Sequence, residues 1–158
     1  MQNSVTDLYG NRVRVRACGI CLLDDKILLI NHKSLSESDF WAPPGGGISF
    51  GESAENCIVR EFHEETGLTI RVDHYLFACE FITTPLHAIE LFFKVTVLAG
   101  SLTRGTDPEM DDKSQIIQSV TFLSEADIKA MKTNTLHGLF KMVAKPAEIL
   151  GLRGYFKL

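Results

Sequence analysis

The chain has 158 residues, 45% of them hydrophobic and 23% charged, with a formal net charge of -4. That size and composition suit one globular domain over residues 1–158 and exclude a disordered or fibrous chain. The acidic balance argues against a stable nucleic-acid partner. The absence of a basic leader before an apolar run, and of any run of about 18 apolar residues, predicts a cytoplasmic protein with no membrane association.

In chain order, Arg12-Val13-Arg14-Val15-Arg16 alternates strictly and continues through an apolar stretch to Leu23. Asp24-Asp25 then interrupts before Lys26 to Ile30, a pattern that predicts a β-hairpin. Arg14 and Arg16 fall on one strand face, where contact with a phosphate or base and simple edge-strand solubility are both open. Cys18 and Cys21 are three apart in a strand and so face opposite ways, and Cys57 and Cys79 lack ligand spacing. Four reduced structural thiols are therefore expected rather than zinc ligands or disulfides.

From Ser34 to Gly51, Pro43-Pro44 and Gly45-Gly46-Gly47 predict a loop with a short strand near Ile48. Phe40 and Trp41 in this loop are candidates for stacking on a nucleobase or for ordinary burial. A helix is predicted over residues 53–66, with Ser53 as its N-cap and Gly67 as its left-handed stop. Strands follow over 68–72, 75–82 and 87–98, then a polar stretch over 100–113 and a strand over 116–123. Ser124-Glu125-Ala126-Asp127 opens a helix through Met131, and a second helix is expected over 135–150, broken near Pro146. The apolar strand over 87–98 would also serve a homodimer, and an ordinary sheet core explains it equally.

The helix over 53–66 departs from the usual burial rule. On a wheel of about 100° per residue starting at Ala54, Ile58 falls near 40°, Phe62 near 80° and Cys57 near 300°, which defines the apolar stripe. Glu65 falls near 20° and Glu61 near 340°, inside that stripe, and Glu64 near 280°, on its edge. Burying one unpaired carboxylate costs several kcal/mol, and three together repel one another, so a bound cation is the economical explanation. Glu64 and Glu65 also sit at the negative end of the helix dipole. All-oxygen ligands suit Mg²⁺, or Mn²⁺ in its place, more than zinc.

The stretch from Gly46 to Leu68 carries a specific motif. It reads Gly46-Gly-Ile-Ser-Phe-Gly-Glu52, seven residues, then Arg60-Glu61-Phe62-His63-Glu64-Glu65-Thr66-Gly67-Leu68. This fits G-x5-E-x7-R-E-U-x-E-E-x-G-U, with U apolar, at every specified position. At ordinary residue frequencies a chance match is on the order of one in ten million. By this motif the chain resembles the Nudix hydrolase (MutT-like) family.

The resemblance implies an α/β fold, a Nudix-type α/β/α sandwich around a mixed β-sheet, and metal-dependent hydrolysis of a pyrophosphate linkage. It implies Glu61 and Glu65 as principal metal ligands, Glu64 as a further ligand or the catalytic base, and the Gly46 carbonyl as an additional ligand. Glu52 would bind an extra metal or hold Arg60, and Arg60 would orient a catalytic carboxylate. In some relatives the base lies on a loop outside the motif, which makes Glu109, Asp111 and Asp112 candidates here.

A nucleoside diphosphate linked to another moiety, such as ADP-ribose or a nucleotide sugar, is the expected small nucleotide-like substrate. Nucleoside triphosphates, dinucleoside polyphosphates and a non-catalytic nucleotide-binding role stand as alternatives. Isopentenyl diphosphate isomerases share the fold, but their additional Cys and Glu constellation is not seen here. Pro85 matches only loosely the downstream proline of ADP-ribose hydrolases.

Overall fold

The computed structural model describes residues 5–33, 38–106, 108 and 115–158. In chain order the elements are α1 (Val5–Tyr9), β1 (Val13–Ile20), β2 (Leu22–Leu23), β3 (Lys26–Lys33), β4 (Asp39–Ala42), β5 (Gly45–Gly47) and α2 (Ala54–Thr66). There follow β6 (Leu68–Thr83), β7 (Leu86–Gly100), β8 (Ile117–Leu123), α3 (Glu125–Ala130), 3₁₀ turns at Thr133–Thr135, Gly138–Lys141 and Pro146–Gly151, and β9 (Gly154–Lys157).

One sheet has the order β5-β1-β7-β6-β9. It is mixed, because β1 runs parallel to β7 and β6 parallel to β9 while the other pairs are antiparallel. In the second sheet β3 pairs antiparallel with β2, β4 and β8. Apolar side chains fill two cores. Cys57, Ile58 and Phe62 of α2 pack with Ala17, Cys21, Leu28, Phe93 and Val95 in one. In the other, Cys18, Ile20, Phe77 and Phe92 meet Leu139 and Ile149 of the 3₁₀ turns, with Ile128 of α3 at the edge. Helical segments thus cover both sides of the strands, the expected α/β arrangement.

Several elements differ from the sequence expectation. β1 and β3 do not form a hairpin; they belong to different sheets, and only the short β2 turns back onto β3. The turn is made by Asp24 and Asp25, both at positive φ (49° and 60°), a conformation short polar side chains tolerate. Cys18 and Cys21 do face opposite cores, and all four cysteines are free and buried. Residues 68–83 form one long strand with register shifts rather than two.

The helix expected over 135–150 is replaced by 3₁₀ turns. The His137 side chain accepts the Leu139 N–H, and Pro146 has no N–H to donate. The helix after Ser124 is present and opens with the expected capping box to Asp127. No helix among the described residues is long and apolar enough to cross a membrane.

Candidate functional site

α2 is set by its caps and by Phe62. The Ser53 hydroxyl accepts the Asn56 N–H at 3.1 Å, and Gly67 closes the helix at φ 72°, donating its N–H to the His63 carbonyl. Phe62 is fully buried, its ring so close to Gly19 that a Cβ there would collide with it. With Phe62 fixed inward, the helical period brings Glu61 and Glu65 onto the neighbouring face, where β5 runs past them. Glu65 is only 6% exposed, and its Oε2 accepts the Gly45 N–H at 3.0 Å. Gly46 lies against the Glu61 carboxylate with no room for a Cβ.

Arg60 gathers the remaining acids. Its Nε and Nη2 donate to Glu52 Oε1 and Oε2 at 2.8 and 3.0 Å, a two-pronged pair, while Nη1 donates to Glu61 Oε1 at 2.8 Å and Glu64 Oε2 at 3.1 Å. The hydrogen bonds from Arg60 hold the Glu52 carboxyl at about 2. Glu61 is different: burial, followed by repulsion from Glu65, pushes its carboxyl up to about 7 despite Arg60. One arginine does not neutralise this cluster.

These residues fit a hard divalent cation. The donors are carboxylates and the Gly46 carbonyl; the nearby Cys57 thiol is pushed up to about 12 by burial and then by Glu61, so it is no thiolate ligand at neutral pH. The glycine cradle against Glu61 and the residual negative charge both suit an ion between β5 and α2. Among the described residues no three His, Cys, Asp or Glu side chains form a finished cage, since the Arg60 guanidinium stands between Glu61, Glu64 and Glu52. A cation held by Glu61 would require that carboxylate to turn from Arg60.

The NUDIX domain profile matches residues 13–144, most of the chain. The chain belongs to the Nudix family. An ADP-ribose pyrophosphatase of Methanocaldococcus jannaschii is 37% identical to this Nudix protein over 91 residues, covering 56% of this chain and 54% of that one. An RNA pyrophosphohydrolase of Saccharophagus degradans is 44% identical over 50 residues, 32% of this chain and 29% of that one. The chain thus matches about half of the first relative's length and under a third of the second's. Among solved structures, a NUDIX hydrolase from Nitrosomonas europaea superposes with a TM-score of 0.72 at 20% identity, over 90% of this chain and 93% of that one.

Around the Nudix motif the structure brings in residues that the sequence did not single out. His32 Nε2 on β3 lies 3.8 Å from Glu65 Oε1. Glu90, inside the apolar β7, is buried against Arg16 and His137. A glutamate in the middle of an apolar strand is the sequence signal for it. β5 pairs with β1 from Arg16 to Cys18, so the edge reading fails for Arg16, whereas Arg14 lies in the part of β1 that pairs with β7 alone. Val13 and Val15 are its exposed residues, whereas Arg14 stacks over Tyr9 at 4.0 Å and Arg16 turns toward Glu90. Phe40 and Trp41 are half-buried, with Phe40 6.2 Å from the His137 ring. Glu109, Asp111 and Asp112 lie outside the described residues.

Proposed function

We propose that this chain is a pyrophosphohydrolase. Its substrate is a nucleoside diphosphate joined to a second moiety, such as ADP-ribose or a nucleotide sugar, and Mg²⁺ is its cofactor, with Mn²⁺ as a substitute. The observation that carries the reading is the clustering of Glu61, Glu64 and Glu65 along one face of α2 against a glycine strand, with more negative charge than Arg60 offsets. The name of the Methanocaldococcus jannaschii relative supports the substrate class.

Two adjacent phosphates repel an incoming nucleophile. A hard divalent cation, when bound, neutralises their oxygens and makes water more acidic. Glu61, Glu65 and the Gly46 carbonyl are the residues to hold it. Glu52 grips Arg60 from the far side, so that Arg60 aligns Glu64 without leaving the helix. The Glu64 side chain is 26% exposed, against 14% for Glu61 and 8% for Glu65, which makes it the carboxylate open to solvent. Glu64 takes a proton from the attacking water through the oxygen that Arg60 leaves free; Glu109 is the alternative base. Water oxygen bonds to phosphorus as the bridging P–O bond breaks, giving two phosphorylated products. The four free, buried cysteines support a reducing, cytoplasmic setting.

The test is a panel of ADP-ribose, nucleotide sugars, dinucleoside polyphosphates and nucleoside triphosphates with Mg²⁺, products resolved by chromatography. Cleavage of the first two at the anhydride, abolished by EDTA, is the expected result. Turnover confined to triphosphates would reject the substrate class. No turnover at all by folded protein would reject the hydrolase reading.

A further inference from the structure

We propose that Glu90 and His137, acting through Arg16, are positioning residues that hold the Gly45–Gly46 strap in place for the metal-binding carboxylates. This inference rests on the proposed metal site and extends it to residues outside the Nudix motif.

The geometry is a continuous buried relay. Glu90 and His137 are 4% and 5% exposed. The Leu139 N–H donates to His137 Nδ1 at 3.1 Å, so the ring proton sits on Nε2 and is given to Glu90 Oε2 at 2.6 Å. The other Glu90 oxygen accepts from Arg16 Nη1 at 3.0 Å. Arg16 Nη2 donates to the Gly45 carbonyl at 3.0 Å, and the N–H of the same glycine donates to Glu65 at 3.0 Å. Gly45 is thus held from both sides, by Arg16 at its carbonyl and by a proposed metal ligand at its amide. The next residue, Gly46, cradles Glu61.

Two features separate this from an ion pair that merely fills the core. Arg16 Nε is buried with no hydrogen-bond partner, so the guanidinium is placed to serve Glu90 and Gly45 rather than to satisfy itself. Arg16 also lies within electrostatic reach of Glu65 and Glu61. Glu90 therefore balances the charge of an arginine that lies near the carboxylates proposed for the cation. Groups bonded directly to a ligand commonly alter metal affinity ten- to a hundredfold; Gly45 is such a group, and Glu90 and His137 act on it through Arg16.

The experiment compares wild type, Glu90→Gln, Arg16→Met, the Arg16→Met/Glu90→Gln double variant, His137→Ala and His137→Gln. Mn²⁺ dissociation constants are read by electron paramagnetic resonance, and Gly45 and Gly46 amide resonances in metal-free protein by ¹⁵N NMR. Glu90→Gln is expected to weaken Mn²⁺ about tenfold and to shift both amides. The double variant should be no weaker than the weaker single one, because both act through one path. His137→Ala should weaken binding, and His137→Gln, which keeps a donor, should restore it.

If Glu90→Gln does not fold, the two His137 variants decide. Folded variants with wild-type affinity and unmoved amides, or additive losses in the double variant, would overturn the relay. Wild-type protein that binds no Mn²⁺ would instead overturn the metal site, and the amide shifts alone would then decide the relay: moved in Glu90→Gln they sustain it, unmoved they end it.

Discussion

Gly46→Ala separates the metal site from the stability of the fold. The added methyl would enter the volume of the Glu61 carboxylate, so one of the two must move. The backbone is poorly free to do so. Gly46 is paired with Ala17 on β1, Gly45 is bonded to both Glu65 and Arg16, and the Gly19 N–H holds the Pro44 carbonyl at 2.9 Å. Glu61 should therefore swing outward and break its 2.8 Å bond from Arg60. An off-rotamer side chain costs about 0.5–1.5 kcal/mol and a hydrogen bond at a charged, half-exposed pair about 1 kcal/mol. Release of Glu61 from burial and from repulsion by Glu65, the causes that push its carboxyl up to about 7, offsets part of this. The net loss of stability should be about 1 kcal/mol. Mn²⁺ affinity, deprived of a proposed carboxylate ligand, should fall at least about tenfold, the lower bound for even an indirect partner. Urea unfolding and an EPR titration on the same samples read the two effects. Unchanged Mn²⁺ affinity, or a stability loss above about 3 kcal/mol, would show that the strap yields rather than the carboxylate.

Gly105→Ala would drive a methyl into the Glu64 carbonyl, lifting off the strap in which Gly105 and Thr106 donate N–H groups to Glu65 and Glu64 at 2.9 and 3.3 Å. Hydrogen exchange should show lost protection at those two amides, with about 1–3 kcal/mol of stability lost if the carbonyls stay buried. Phe62→Ala, at a fully buried ring under Gly19, should cost about 3–5 kcal/mol in urea unfolding. Burial alone would raise the Glu90 carboxyl, but His137 and then Arg16 outweigh it and hold it at about 2, below its ordinary 4.5. A depressed carboxyl stabilises the fold above its ordinary range, so that contribution should disappear as pH falls from about 4.5 to about 2. Urea midpoints measured across that window should drop in wild type and fall less in Glu90→Gln.

The acidic face of α2 could be read in the sequence because three constraints agree within fifteen residues: the caps at Ser53 and Gly67, the apolar stripe through Phe62, and glutamates inside that stripe. The motif then named the family. What could not be read depends on distant pairing. Alternation in Arg12 to Arg16 identifies a strand but does not reveal that β1 lies between β5 and β7, with its valines outward and its arginines inward. Glu90 and His137 are 47 positions apart, and no local pattern links them. The helix expected over 135–150 had suitable apolar spacing, but 3₁₀ turns use the same spacing, and the His137 ring decides between them by accepting a backbone N–H.

The most direct test of metal-dependent pyrophosphate hydrolysis is to incubate the protein with ADP-ribose and Mg²⁺ in ¹⁸O-labelled water, with EDTA and Glu65→Gln controls, and to analyse the products by mass spectrometry. AMP and ribose phosphate are expected, with one ¹⁸O in a single product, and both products should be lost in the two controls. Cleavage that survives EDTA and Glu65→Gln, or both ADP-ribose and nucleotide sugars left intact by folded protein that binds Mg²⁺, would contradict metal-dependent hydrolysis.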